Sequence, residues 1–159
     1  EGLTDEQVLF LADILPTAYE VGVINGKVEP GDTVAIVGAG PIGLAAIMTA
    51  RLRTPGRIVA IDLADARLEK ALEFGADLVI NNGSEDAVER IMELTGGLGA
   101  HSVIEAVGTQ EAMMQAIHSA RPGGHVGFVG VSHDVAIPGD ELFMAGVHIH
   151  GGPAPVRRW

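Results

Sequence analysis

The sequence predicts an α/β fold, a doubly wound parallel six-stranded sheet with helices on both faces. Three observations predict it. Short β-branched runs alternate along the chain with stretches of helical periodicity, the pattern of repeated βαβ units. The first of these runs, TVAIV at 33–37, lacks polar alternation, as a strand buried on both faces requires. With 22 glycines and 4% aromatic residues, the composition suits helices lying close on a parallel sheet.

Each element follows from local signals. Thr4-Asp5-Glu6-Gln7 has the form of a capping box, so a helix opens there. A second helix is expected after Pro16, closing at Asn25-Gly26. Pro30-Gly31-Asp32 is a turn, and 33–37 is the first strand. A helix over 41–53, a strand over 57–62, a helix over 65–74 closed by Gly75 and a strand over 78–80 follow. Ser84 is expected to cap a helix with Glu85 and Asp86 in its first turn, where the helix dipole favours acids. The fourth strand is 102–106, and Thr109 caps the next helix. Arg121-Pro122-Gly123 turns into a fifth strand over 124–131, and a short helix near Glu141 precedes a sixth at 147–150.

The chemistry is concentrated after the first strand. Gly38-Ala39-Gly40-Pro41-Ile42-Gly43 fits G-x-G-x-x-G, and it leaves a buried strand to open a helix, which is the context the dinucleotide fingerprint needs. Gly38 permits the tight turn, Gly40 lets backbone approach a pyrophosphate, and Gly43 lets the helix pack on the sheet. The helix start offers free N–H groups to phosphates, and Pro41 fits the first turn, where an N–H has no helical partner. Asp62 ends the second strand 19 residues after the last glycine, near the spacing of about 20 for the acid that holds the adenosine ribose. A carboxylate there would repel a 2′-phosphate, which favours NAD over NADP. Taken singly, the loop also reads as a plain tight turn, and Asp62 as a solvated strand end or helix cap. Together they predict a Rossmann fold that binds NAD.

At these residues the chain resembles the medium-chain dehydrogenase/reductase superfamily, in its zinc-dependent alcohol and polyol dehydrogenase branch. Leu15-Pro16-Thr17-Ala18-Tyr19 and Val28-Glu29-Pro30-Gly31-Asp32-Thr33-Val34 match the entry to that family's cofactor domain. Phe74-Gly75-Ala76-Asp77, Leu94-Thr95-Gly96-Gly97, Glu105-Ala106-Val107-Gly108 and Pro122-Gly123-Gly124 follow in the family's order. The resemblance implies an oxidoreductase that, in its full length, passes hydride between an alcohol and a nicotinamide dinucleotide. It implies that Ile42 and the loop amides lie under the pyrophosphate and that Arg67 joins Asp62 at the ribose. It places Ala106, Val107 and Gly108 beside adenosine and the middle of the cofactor. Val129, Gly130 and Val131 then meet the nicotinamide carboxamide, and Thr17 packs near its ring.

The same resemblance makes Asp13 one ligand of a catalytic zinc, because it stands four residues before Thr17, where a branch of the family places an Asp. Read from the residues alone, Asp13 is first an N-cap for the helix near Pro16, and it is the resemblance that turns the reading toward the metal. The family's other zinc ligands, proton relay and most of its substrate pocket belong to segments outside this sequence. No catalytic residue is therefore assigned, and the chain alone is expected to be inactive. The expected division is a helical lead-in or hinge at 1–26, an NAD-binding domain at 27–152 and the start of a return segment to the catalytic domain at 153–159. With Glu1 at one end and PAPVRRW at the other, the chain reads as a piece of a longer protein.

His148 and His150 alternate on a strand and face one side, so they are weighed as a shared ion site and as a seam. The resemblance favours the seam: strand six at the sheet edge pairs with its twin in a dimer or tetramer. His101 is read as surface variation.

A net charge of −11 argues against nucleic acid and anionic membrane as partners. The chain has no cysteine, which excludes disulfides and Cys-based zinc sites. No signal peptide or apolar run of about 18 residues is evident in the sequence, and a cytoplasmic location is expected. Three alternatives remain. A zinc-free quinone reductase-type member of the superfamily would leave Asp13 idle, and an S-adenosylmethionine-dependent methyltransferase would need a reversed last strand. A nucleotide-sensing module without catalysis is a third option.

Overall fold

A computed structural model describes residues 2–155. Its sheet contains β1 (Thr33–Val37), β2 (Arg57–Asp62), β3 (Leu78–Asn81), β4 (Ala100–Glu105), β5 (Ala120–Phe128) and β6 (His148–His150). The spatial order is β3-β2-β1-β4-β5-β6, and every neighbouring pair is parallel. That is the doubly wound order of a dinucleotide-binding fold, with the chain reversing direction between β1 and β4. β6 is parallel to β5 through Val126 and Ile149, so the reversed last strand that a methyltransferase would need is absent.

The helices divide between the faces because each strand is apolar on both sides. Along β1, Val34 and Ile36 enter one core with Ala46 and Ile47 of α3 (Pro41–Ala50) and Ala71 of α4 (Asp65–Glu73). Ala35 and Val37 enter the other core, with Ile91 of α5 (Ala87–Leu94) and Ala116 of α6 (Gln110–Ser119). Full burial of one such Ile stabilises by about 1.5–3 kcal/mol. Small residues on α3 let it sit against the sheet.

Several expectations hold closely. β1 and β2 have the expected bounds, and Thr4 and Gln7 form the reciprocal capping box that opens α1 (Asp5–Val8). Thr109 accepts from the Ala112 amide and caps α6. Other elements differ. The cap of α5 is Asp86, whose Oδ1 accepts from the Val88 and Glu89 amides at 2.9 and 3.0 Å, while Ser84 lies in the preceding turn. The second helix starts before Pro16, as α2 (Ile14–Thr17), and widens into a π-helical turn over Ala18–Ile24. β5 starts at Ala120 with a register shift against β4, and it ends at Phe128, so 129–131 is loop. β4 starts and ends before its expected bounds, leaving Ala106 outside it. His101 is half-buried, and its Nδ1 accepts the amide of Thr33 at 3.1 Å. It therefore pins the start of β1, which corrects its reading as surface variation.

The helical stretch Asp5–Ile24 is long and apolar enough to cross a membrane by length and composition alone, where the sequence offered no evident apolar run of about 18 residues. It is nevertheless segmented by Asp13 and Pro16, and Ala18, Val21 and Val23 are buried within the domain. α7 (Gly139–Ala145) leads into β6, and the expectation for 153–159 lies partly outside the described residues.

Candidate cofactor site

The site forms where β1 and β2 end. Gly38 takes φ +94°, a left-handed conformation that glycine tolerates, and a Cβ there would stand 2.6 Å from Cγ2 of Val107. A Cβ on Gly43 would overlap the carbonyl oxygen of Gly38, so the first turn of α3 closes directly onto the loop. At Gly40 the position of a Cβ is open, with no protein atom within 4 Å. Pro41 and Ile42 occupy the first turn of α3, and the cap residue Gly40 supplies no side chain. The helix N–H groups thus face an open backbone surface.

Asp62 anchors this loop. Its Oδ2 accepts the Ala39 amide at 2.8 Å, and its Oδ1 accepts the amides of Leu63 at 2.8 Å and Ala64 at 3.0 Å. Gly38 donates to the carbonyl of Ile61 at 2.8 Å, one residue earlier. The Asp62 side chain is 7% exposed, and Nη1 of Arg67, on a side chain 61% exposed, lies 3.6 Å from it. Gly38, Asp62, Arg67 and Val107 line one cleft of about 390 Å³ together with Asn82 and Gln115. Ala106 donates to the carbonyl of Val37 at 2.9 Å, which ties the turn after β4 to the glycine-loop strand.

A second cleft, of about 560 Å³, lies at the end of β5 and holds Asp13, Thr17, Val129, Gly130, Val131 and Ala154. Thr17 donates its hydroxyl to Oδ1 of Asp13 at 2.6 Å, and its amide donates to the Asp13 carbonyl at 2.9 Å. Asp13 occupies the cap position of α2, yet its side chain accepts no backbone N–H. The capping alternative therefore does not describe its carboxylate. Among the described residues no set of three or more His, Cys, Asp or Glu side chains is gathered to hold a metal ion. As a donor set, Asp13 fits one oxygen ligand of a zinc and no more. His148 and His150 are both exposed, and His148 is engaged in stacking on His125, with ring centroids 4.6 Å apart.

The structure thus brings Gly38, Asp62, Arg67 and Val107 to the first cleft and Asp13, Thr17, Val129, Gly130 and Val131 to the second, while Gly40, Ile42, Gly43, Ala106 and Gly108 line neither and Pro41 lines a separate apolar cleft with Phe10, Leu15 and Phe74. Between the first and second clefts stands Glu105, which the sequence presents only as the first residue of the motif Glu105-Ala106-Val107-Gly108. It is fully buried at the end of β4, and its Oε1 accepts the amides of Val107 and Gly108 at 2.8 and 2.7 Å. Burial pushes its carboxyl above the ordinary Glu range, against the pull of the Gly108, Val107 and Gly130 amides. An acid closing an apolar strand was the available signal.

Residues 41–153 match the zinc-binding dehydrogenase family. An alcohol dehydrogenase of Cupriavidus necator is 46% identical over 151 residues, covering 94% of this chain and 41% of that protein. An NADP-dependent isopropanol dehydrogenase of Entamoeba histolytica is 34% identical, covering 94% of this chain and 42% of the relative. The solved zinc-dependent alcohol dehydrogenase 2 of Streptococcus pneumonia superposes with a TM-score of 0.92 at 39% identity, over 99% of this chain and 45% of that one. The chain spans about two fifths of the length of the curated relatives it matches. It belongs to the zinc-binding dehydrogenase family.

Proposed function

We propose that this chain is the NAD(H)-binding part of a zinc-dependent medium-chain alcohol or polyol dehydrogenase. The observation that carries the reading is the bond from the Ala39 amide to Asp62, which joins the glycine loop to the acid at the end of β2. In this reading the first-turn amides of α3 and the open surface at Gly40 take the pyrophosphate, with Pro41, Ile42 and Gly43 shaping that turn. Asp62, with Arg67 beside it, receives the adenosine ribose. Ala106, Val107 and Gly108 flank the middle of the dinucleotide, and Val129, Gly130, Val131 and Thr17 surround the nicotinamide.

The bound nicotinamide supplies hydride exchange with the substrate carbon, and zinc supplies Lewis acidity toward its oxygen. Asp13, oriented by the Thr17 hydroxyl, would hold that zinc with ligands from outside this chain. This chain's own work is binding and orientation. Its parts are a lead-in or hinge at 1–26, the cofactor domain at 27–152 and a return segment from 153. A small alcohol or carbonyl compound is the substrate class, and a reducing, cytoplasmic setting suits a chain without cysteine.

A homodimer or tetramer would form through the edge strand at 147–150. Support comes from the place of β6 at the sheet edge and from α7 beside it, where Phe143 and Met144 are 84% and 83% exposed. The low isoelectric point, about 4.8, leaves nucleic acid without an electrostatic footing.

Calorimetric titration with NADH and NADPH tests the cofactor reading. NADH binding with clear preference over NADPH is expected. Binding of neither, or preference for NADPH, overturns the NAD assignment. Reconstitution of the full-length protein with zinc then distinguishes a dehydrogenase from a zinc-free reductase or a sensing module, since only the first gains activity with the metal.

A further inference from the structure

Glu105 is more deeply committed than the cleft residues on either side of it. Its side chain is fully buried, Oε1 holds the Val107 and Gly108 amides, and its main-chain carbonyl accepts the amides of Val129 at 2.7 Å and Gly130 at 3.2 Å. Oε2 has no hydrogen-bond partner and lies against Gly130, where a Cβ would come within 2.6 Å of it. Gly130 packs as tightly on Gly108, so a side chain at 130 would separate the two turns.

Burying a carboxylate with one oxygen unpartnered is unfavourable, and an apolar residue of similar size would fill the same space without that penalty. An apolar residue would not accept two successive amides at one atom. Those amides belong to the turn after β4, whose Val107 lines the first cleft, while 129–131 lines the second. One residue therefore grips both turns, through its side chain on one side and its backbone on the other.

We infer that Glu105 is a positioning residue that clasps the turn after β4 to the turn after β5 and fixes the separation of the two halves of the cofactor cleft. This rests on the cofactor reading above. A ligand that spans both halves depends on that separation, and a ligand confined to one half does not. Preorganisation of this kind raises affinity by removing an ordering penalty at binding.

The test compares NADH with AMP by calorimetry, with a thermal melt on each protein. Glu105→Ala is expected to weaken NADH at least about tenfold and AMP by less than about threefold. Glu105→Asp, which keeps a carboxyl group but withdraws the acceptor from the two amides, is expected to show the same split if Glu105→Ala does not fold. Glu105→Gln retains an acceptor oxygen and is expected to stay within about threefold of wild type for both ligands. Equal losses for NADH and AMP, or no loss for either, would overturn the inference, and so would a folded Glu105→Gln that loses NADH. Wild-type protein that binds neither ligand would overturn the cofactor reading and this inference with it. Wild type that binds NADH alongside an unaffected Glu105→Ala and Glu105→Asp overturns this inference alone.

Discussion

The amide of Ala39 donates to Oδ2 of Asp62 at 2.8 Å, so the middle of the glycine loop after β1 hangs from the last residue of β2. The carboxylate is nearly buried and is engaged by three amides in all. It shapes the loop and lines the cleft at once.

Asp62→Ala should accordingly damage both roles. Hydrogen bonds to a charged group are worth about 1.5–3 kcal/mol each, so loss of one from the ribose predicts a roughly 10- to 100-fold weaker NADH complex. Preference for NADH over NADPH should shrink together with it, because the repulsion of a 2′-phosphate is removed. Titrations of both nucleotides against both proteins decide the matter. An unchanged NADH affinity would contradict the assignment.

Gly40 and Gly43 should separate binding from stability. A Cβ on Gly43 meets the Gly38 carbonyl, and overpacking of this kind costs about 1–3 kcal/mol or more. At about 2–4 °C per kcal/mol for a domain of this size, Gly43→Ala should melt several degrees lower. Gly40→Ala meets no protein atom and caps α3 at an ordinary φ, so its melt should move far less than that of Gly43→Ala. NADH binding, however, should weaken at least about tenfold as the methyl group blocks the pyrophosphate. Melting curves and titrations on the two variants give the contrast.

His125 predicts a loss of stability in mild acid. Burial lowers its pKa first, and His148, Lys27 and Arg121 lower it further, with Glu29 opposing them. The unfolded chain therefore takes up a proton near pH 6.5 that the folded edge resists. Stability falls as pH drops through that value and levels off below the folded pKa. His125→Phe keeps a ring against His148 and cannot titrate, so its melting temperature should fall less than wild type between pH 7 and 5. Parallel slopes for the two proteins would remove His125 as the cause.

Asp77 predicts a second transition at lower pH. Burial raises its pKa, but Arg51 (2.6 Å away), the Ile58 amide at 2.7 Å and the charge of Arg57 together hold it below the ordinary Asp range. Its contribution is present above the unfolded pKa and is lost as pH falls through the folded one, so the window lies below about pH 4. Asp77→Asn should be less stable than wild type at neutral pH, and the gap should close below about pH 4. A gap that does not narrow at all as pH falls below about 4 would show that charge is not its origin.

Much of the candidate cofactor cleft was legible because its signals are local. The six-residue glycine loop, the buried strand before it and the acid 19 residues after it lie within one short stretch. The family's spacing singles out Asp13, but it does not give the bond from Thr17 that occupies one of its oxygens. Glu105 was missed for a similar reason. Its partners lie on a turn formed after β4 and on another formed after β5, and neither turn can be located until the sheet registers are set.

The amino-acid sequence by itself determined the parallel sheet, the bounds of β1 and β2, the caps at Thr4 and Thr109, and the glycine loop. Apolar runs, punctuating glycines and capping side chains act over a few residues, so they need no tertiary context. The tertiary structure decided that Asp86 rather than Ser84 caps α5, that β5 bulges near its start, and that His101 holds Thr33. It also decided that Glu105 joins the two turns. In each of the last three, a donor meets its acceptor or a strand meets its register only after residues distant in sequence have been packed side by side. At α5, Ser84 and Asp86 compete as caps from two positions apart, and the path of the chain after β3 selects between them.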